Sequence, residues 1–301
     1  MFDPAIDKQI TLRGLRLHYR EYAPAAPRRR RRDLPAIVLL HGLASTSRIW
    51  ITVAPLLARR YRVLALDQRG HGESAKPDGP YDFRAVVGDL ASFVDAAGVD
   101  RAVVVGHSWG GNVALEYAAT HPRRVAALVL TDGGFLEIAG RPGATWERAE
   151  QEMAPPELTH LTPEQLIEGA RRWELGRIWS DEVQAALLAN FEVTEDGTIR
   201  PHLSRENHMA IVRALWDQRP SELYRRVRAP VLFVAAEREV EGRAAEWVAM
   251  KREALARAQG LLADCEVRWF EDTIHDIPLQ RPAKLARTID DFVRRKANIA
   301  G

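Results

Sequence analysis

Residues 106 to 110 read Gly-His-Ser-Trp-Gly, the spacing G-x-S-x-G. Before them runs Ala102-Val103-Val104-Val105, a continuous apolar stretch. After them, Asn112 to Thr120 carries a helical pattern. A serine between a buried strand and a helix, flanked by glycines, fits the turn called a nucleophile elbow. The turn forces Ser108 into a strained backbone conformation. Glycines at 106 and 110 let strand and helix approach closely. The hydroxyl is then presented at the carboxyl end of a sheet. The amide of Trp109, at the helix start, points at whatever Ser108 attacks, and the helix dipole favours negative charge there. The chemistry expected of such a serine is acyl transfer.

Few other groups compete for chemistry. The chain has nine histidines and one cysteine, Cys265. A lone cysteine excludes an intrachain disulfide framework and fits a reducing compartment. No dense His, Cys, Asp and Glu cluster has metal-ligand spacing, so neither a metal nor an organic cofactor is expected. His41, His71 and His107 fall in loops near one sheet edge. There they either touch substrate or hydrogen-bond locally, and His41 and His107 are the expected substrate contacts.

These groups need a scaffold, and the pattern along the chain supplies one. Buried-strand runs are read in the stretches 36–42, 62–74, 101–108, 124–134, 229–237 and 266–272. Helical periodicity fills 82–97, with Phe83, Val86, Val87, Leu90, Phe93 and Val94 at three-to-four spacing, and 282–296, with Leu285, Ile289 and Phe292 inward. Strands alternating with helices imply a mostly parallel sheet covered on both faces. Residues 9 to 22 alternate around Gly14 as a hairpin. From 135 to 228 no buried strand appears. Thr162, Ser180 and Ser204 look like helix N-caps, and Asp196-Gly197 like a tight turn. Trp146, Trp173, Trp179, Phe191 and Trp216 are expected to form this insertion's own core.

The chain has 301 residues, and 43 Lys and Arg against 41 Asp and Glu leave a net charge of +2. No global field calls for nucleic acid or an anionic membrane. The run Arg28 to Arg32, bracketed by prolines, is expected to be a solvated loop. The N-terminus lacks a basic start followed by an apolar run, and no stretch approaches the roughly 18 apolar residues of a membrane helix. A soluble, cytoplasmic protein with no nucleic-acid partner is expected.

Three further stretches make the chain resemble the α/β-hydrolase fold family. "LLHGLASTSRIW" is similar to that family's oxyanion loop, and Leu43 takes the place of the residue whose N–H binds the oxyanion. "LDQRGHGES" is similar to its D-x-R-G-x-G-x-S segment, Asp67 through Ser74. "EDTIHDIPLQRP" follows the last strand, where the family's catalytic histidine lies, and offers His275. The resemblance implies a core of residues 1–134 and 229–301, with a mostly helical cap, 135–228, inserted between two strands. For the triad acid it leaves two candidates. Counting along a P-x-L-x-x-x-G-x-x-D pattern from Pro230 favours Glu239. Asp132, after "ALVLT", occupies the place used in other members. Members that open epoxides or remove halogen need a carboxylate where Ser108 stands. The implied function is therefore cleavage of carboxylic esters of modest, partly apolar substrates through an acyl-enzyme, with Leu43 and Trp109 as oxyanion donors. Lactone, amide or C–C bond hydrolysis and perhydrolysis use the same groups. A slow-turnover, receptor-like binder is the reading of a different class.

Overall fold

The computed structural model describes residues 5–23, 35–238 and 243–297. Two positions singled out above, the arginine run 28–32 and Glu239, lie outside the described residues.

The chain opens on a hairpin, β1 (Ile6–Leu12) and β2 (Leu15–Tyr22), turning at Arg13 and Gly14 with positive φ at both. Then come β3 (Ala36–Leu40), α1 (Ala54–Leu57), β4 (Val63–Leu66), α2 (Phe83–Ala96), β5 (Ala102–His107), α3 (Trp109–Thr120) and β6 (Val125–Thr131). The insertion follows as α4 (Trp146–Met153), α5 (Pro163–Arg172), α6 (Asp181–Leu188), the strands β7 (Phe191–Val193) and β8 (Ile199–Pro201), α7 (Arg205–Asp217) and α8 (Pro220–Tyr224). The chain returns to the sheet as β9 (Val231–Ala236), α9 (Arg243–Leu261), β10 (Cys265–Phe270), α10 (Ile277–Gln280) and α11 (Pro282–Lys296).

Eight strands form the main sheet in the order β1-β2-β4-β3-β5-β6-β9-β10. β2 pairs antiparallel with both neighbours, and the six strands from β4 to β10 pair in parallel. Parallel strands need helical crossovers, so both faces are covered and the strands read as unbroken apolar runs. Their period-two alternation divides the core. Val38, Leu40, Val104 and Leu128 face one layer with α2, α3 and α9. Ile37, Leu39, Val103 and Val105 face the other, with Ala54, Leu285, Ile289 and Phe292. The chain passes from β3 outward to β4, then back across to β5. In open α/β sheets such a reversal, at the carboxyl ends of the strands, is where ligands are bound. The expected catalytic serine sits there.

Local signals set the helix ends. Asp82 caps α2, and Thr162 with Gln165 forms a capping box on α5. Ser180 and Ser204 cap α6 and α7. β7 and β8 pair around Asp196-Gly197, where Gly197 has φ +81°.

The aromatic residues of the insertion depart from expectation. None of the four tryptophans is fully buried, and Trp173 is 79% exposed. Leu166, Val183, Ala186, Ile199, Ile211 and Val212 are buried instead. Two of the tryptophans lie half-covered under arginine stems, Arg213 over Trp146 and Arg171 over Trp179, and Trp216 meets Trp146 edge-on. An indole is too large to enclose between short helices, and its face accepts a guanidinium. The insertion also does not close on itself. Leu203, Ile211, Leu215 and Tyr224 join the same buried cluster as Val104 and Phe233.

Candidate active site

Ser108 has φ +53° and ψ −124°, a conformation that costs a non-glycine residue on the order of 1–3 kcal/mol. Neighbours hold it there. Its N–H donates to the Thr131 carbonyl on β6, and its carbonyl accepts from the Gly111 N–H. A Cβ on Gly106 would lie 2.1 Å from the Gly110 carbonyl oxygen, and one on Gly110 would lie 2.4 Å from that of His41. Only glycine permits either approach. Ser108 stands at the N-cap of α3 but its hydroxyl makes no capping bond, so the oxygen remains uncommitted to the helix.

The loop after β3 comes up against this hydroxyl. A Cβ on Gly42 would lie 3.0 Å from Ser108 Cβ and 3.5 Å from its Oγ. The next amide along is Leu43. Trp109 opens α3, and the first amides of a helix lack intrahelical partners. The two expected oxyanion donors thus belong to the chain segments bordering Ser108.

Asp67 fixes that loop from behind. Its Oδ1 accepts from the Ser47 N–H at 2.6 Å, and its Oδ2 accepts from the Glu73 N–H and bonds the His18 ring at 2.8 Å. Arg69 makes a paired contact with Asp89 and donates to the Pro80 carbonyl. The D-x-R-G-x-G-x-S segment is therefore a brace, with Asp67 and Arg69 turned into the protein.

His275 lies in the loop between β10 and α10. Its Nδ1 is 2.6 Å from Asp132 Oδ2. Asp132 follows β6 at φ +45° and its N–H donates to the Val234 carbonyl on β9. Of the two rival acids, Asp132 is the one the described residues place at His275 Nδ1, while Glu239 lies outside them. The count from Pro230 follows the end of β9, whereas Asp132 stands one strand over, at the end of β6. Half of the His275 side-chain surface is open to solvent, while Asp132 is almost wholly enclosed.

Burial alone would push the Asp132 carboxyl up. The His275 hydrogen bond and the charges of His275 and Lys251 bring it down instead, to about 2. Desolvation works against charged His275, but the Asp132 hydrogen bond and charge outweigh it and leave the ring above its ordinary value. Asp132 is thus ionised, and the His275 ring holds a proton more readily than an ordinary imidazole.

His41 and His107, the expected substrate contacts, are both buried and bonded within the protein. His41 is 0% exposed. Its Nδ1 donates to the Gly42 carbonyl at 2.7 Å and its Nε2 accepts from the Gln68 N–H at 3.0 Å, so both nitrogens are spent on joining the loops after β3 and β4. His107 is buried, and its Nε2 donates to the His275 carbonyl at 2.9 Å with the two rings 4.8 Å apart. Burial, then the neighbouring His275 charge, pushes its pKa down to about 4, so it stays neutral. His107 steadies the base's loop. A sheet edge gathers histidines for scaffolding as readily as for chemistry, and residue type does not separate the two.

Lys251 was missed. It projects from α9 and its Nζ lies 2.7 and 2.8 Å from the two oxygens of Asp132. The signal was present: Lys251, Leu255, Ala258 and Leu262 recur at helical spacing and all are buried. A lysine in the apolar stripe of a helix needs a buried partner. Among the described residues, no group of three or more His, Cys, Asp or Glu is arranged to hold a metal ion, and no helix is long and apolar enough to cross a membrane.

Residues 35–237 match the family described as the alpha/beta hydrolase fold. The chain belongs to that family. Among curated relatives, it is 37% identical to epoxide hydrolase B of Mycobacterium tuberculosis over 139 residues, 45% of this chain and 37% of that one. It is 40% identical to a fluoroacetate dehalogenase of Burkholderia over 103 residues, 33% of this chain and 34% of that one. These matches span little more than a third of the relatives' length. Among solved structures, E-2-(acetamidomethylene)succinate hydrolase superposes with a TM-score of 0.76 at 23% identity, covering 97% of this chain and all of that one. That likeness establishes the shared fold.

Proposed function

We propose that this member of the alpha/beta hydrolase fold family is a serine hydrolase that cleaves carboxylic esters through an acyl-enzyme. The observation that carries the reading is the nucleophile elbow: a serine with an uncommitted hydroxyl, held at positive φ at the sheet edge that also bears the His275–Asp132 pair. In this mechanism Ser108 Oγ attacks the ester carbonyl carbon while His275 Nε2 takes its proton. Asp132 holds Nδ1–H and stabilises the imidazolium. The N–H groups of Leu43 and Trp109 bind the oxyanion, each worth on the order of 3 kcal/mol. The intermediate collapses, and His275 returns the proton to the departing alcohol. Water, activated by the same ring, then releases the acid and restores Ser108.

Relatives named for epoxides and fluoroacetate are 37% and 40% identical over 139 and 103 residues. Ser108 supports acyl chemistry over theirs, since a serine ester and not an alkylated carboxylate would be formed here. Residues 135–228 serve as the cap. Between cap and core lies a cavity of about 440 Å³, lined by Ala44 and Ser45 next to Leu43, by His71, and by Phe191, Leu203 and Arg200 of the insertion; it adjoins the oxyanion loop, and Ser108 and His275 are not in its lining. Its size and mixed lining suit a small to medium, partly apolar substrate.

Turnover of p-nitrophenyl acetate and butyrate, followed by a panel of esters, lactones and amides, tests the proposal. Sustained turnover that disappears in Ser108→Ala is the expected result. Turnover no faster than that of Ser108→Ala overturns it, and a single stoichiometric burst points to the receptor-like reading.

A further inference from the structure

Lys251 has no part in the proposed reaction, yet it is built into the site. Its side chain is 7% exposed and that of Asp132 1%. Its three ammonium protons meet three acceptors: Asp132 Oδ1, Asp132 Oδ2 and, at 3.1 Å, the Ala236 carbonyl. Asp132 also accepts from the Ala236 N–H at Oδ1 and bonds His275 at Oδ2. The carboxylate is thus saturated, clamped between α9, the end of β9 and the base.

An aspartate needed only to orient an imidazole requires no such partner. A well-packed apolar side chain from α9 would fill the space without the desolvation that a buried ammonium entails. What the ammonium adds is a fixed positive charge on the far side of the carboxylate. The charged and titratable groups around His275 are Asp132 from the end of β6, Asp276 from its own loop, His107 from the end of β5 and Lys251 from α9. Both aspartates favour the imidazolium, and Lys251 opposes it.

We propose that Lys251 is a positioning residue for the base: it locks Asp132 in place and offsets its charge, so that His275 stays neutral, able to take the Ser108 proton, at lower pH than an uncompensated Asp–His pair would allow. This rests on the reading of Ser108, His275 and Asp132 as hydrolytic partners.

The test follows His275 by NMR titration in the whole chain, its ring signal assigned by loss in His275→Ala. The wild type is compared with Lys251→Met, Lys251→Gln and Lys251→Arg, and the pH profile of kcat/KM on p-nitrophenyl butyrate is recorded alongside. In the Met and Gln variants the His275 pKa should rise by about one unit, as removal of a nearby like charge predicts. The acid limb of kcat/KM should rise with it, and Lys251→Arg should leave both near the wild-type position. A folded Met or Gln variant whose His275 pKa is unmoved or lower overturns the inference, whatever stability it has lost. So does failure of both uncharged variants to fold while Lys251→Arg folds, since Lys251 is then an anchor alone. The titration needs no substrate. A shifted pKa without ester turnover in the wild type therefore sinks the hydrolase reading and leaves only the charge offset at His275 standing, and an unmoved pKa beside brisk wild-type turnover sinks the offset and leaves the hydrolase reading.

Discussion

Replacing Ser108 by alanine removes one oxygen atom and, in the proposed mechanism, the bond-forming step. Turnover of p-nitrophenyl butyrate should fall on the order of 10⁶-fold, with circular dichroism unchanged. Asp132→Asn keeps size and removes charge. It should cost up to about 10⁴ in kcat, because the neutral amide neither stabilises the imidazolium nor enforces the tautomer. The two acidic partners also set the pH response. His275 is raised above its ordinary value, mainly by Asp132 against desolvation. The ring must be neutral to act, so kcat/KM should be low in acid and rise as pH passes its pKa. Asp132→Asn removes the main raising influence, so the acid limb of its residual activity should move to lower pH. An acid limb that stays in place in Asp132→Asn would mean that another group sets it.

At the scale of elements, the elbow is a joint made by backbone packed on backbone. The Gly110→Ala methyl would lie 2.4 Å from the His41 carbonyl oxygen and 2.5 Å from that of Leu40. Neither is a flexible side-chain end, so β3 and α3 must separate. Overpacking of this kind costs typically 1–3 kcal/mol and sometimes more. The expected outcome is a lower urea midpoint together with a loss of activity larger than the stability change explains, since the Gly42–Leu43 loop leaves β3 at that point. Thr162→Ala offers the contrast. It deletes the capping box of α5, far along the insertion, and should cost about 1 kcal/mol while leaving the chemistry at Ser108 alone.

Across the whole molecule, cap and core share buried side chains. Ile211 of α7 is fully buried in the cluster that contains Val104 and Phe233. Ile211→Ala should therefore cost about 2–5 kcal/mol, as a core truncation does, and calorimetry should show one transition shifting as a unit. Two separated transitions would mean that the cap unfolds on its own. The sequence by itself determined the alternation of strands and helices, the elbow at Ser108, the position of His275 after the last strand, and the caps at Thr162, Ser180 and Ser204. Each is a local matter: period-two and period-3.6 burial, or a side chain bonding an amide two or three residues away. Tertiary structure decided the rest. Asp132 and His275 are 143 residues apart, and Asp132 and Lys251 are 119 apart. Their meeting depends on β6 lying beside β9, a neighbour relation that no local spacing encodes. The rings of His41 and His107 are engaged for the same reason, because the Gln68 amide that meets His41 Nε2 and the His275 carbonyl that meets His107 Nε2 arrive from other loops once the sheet has formed.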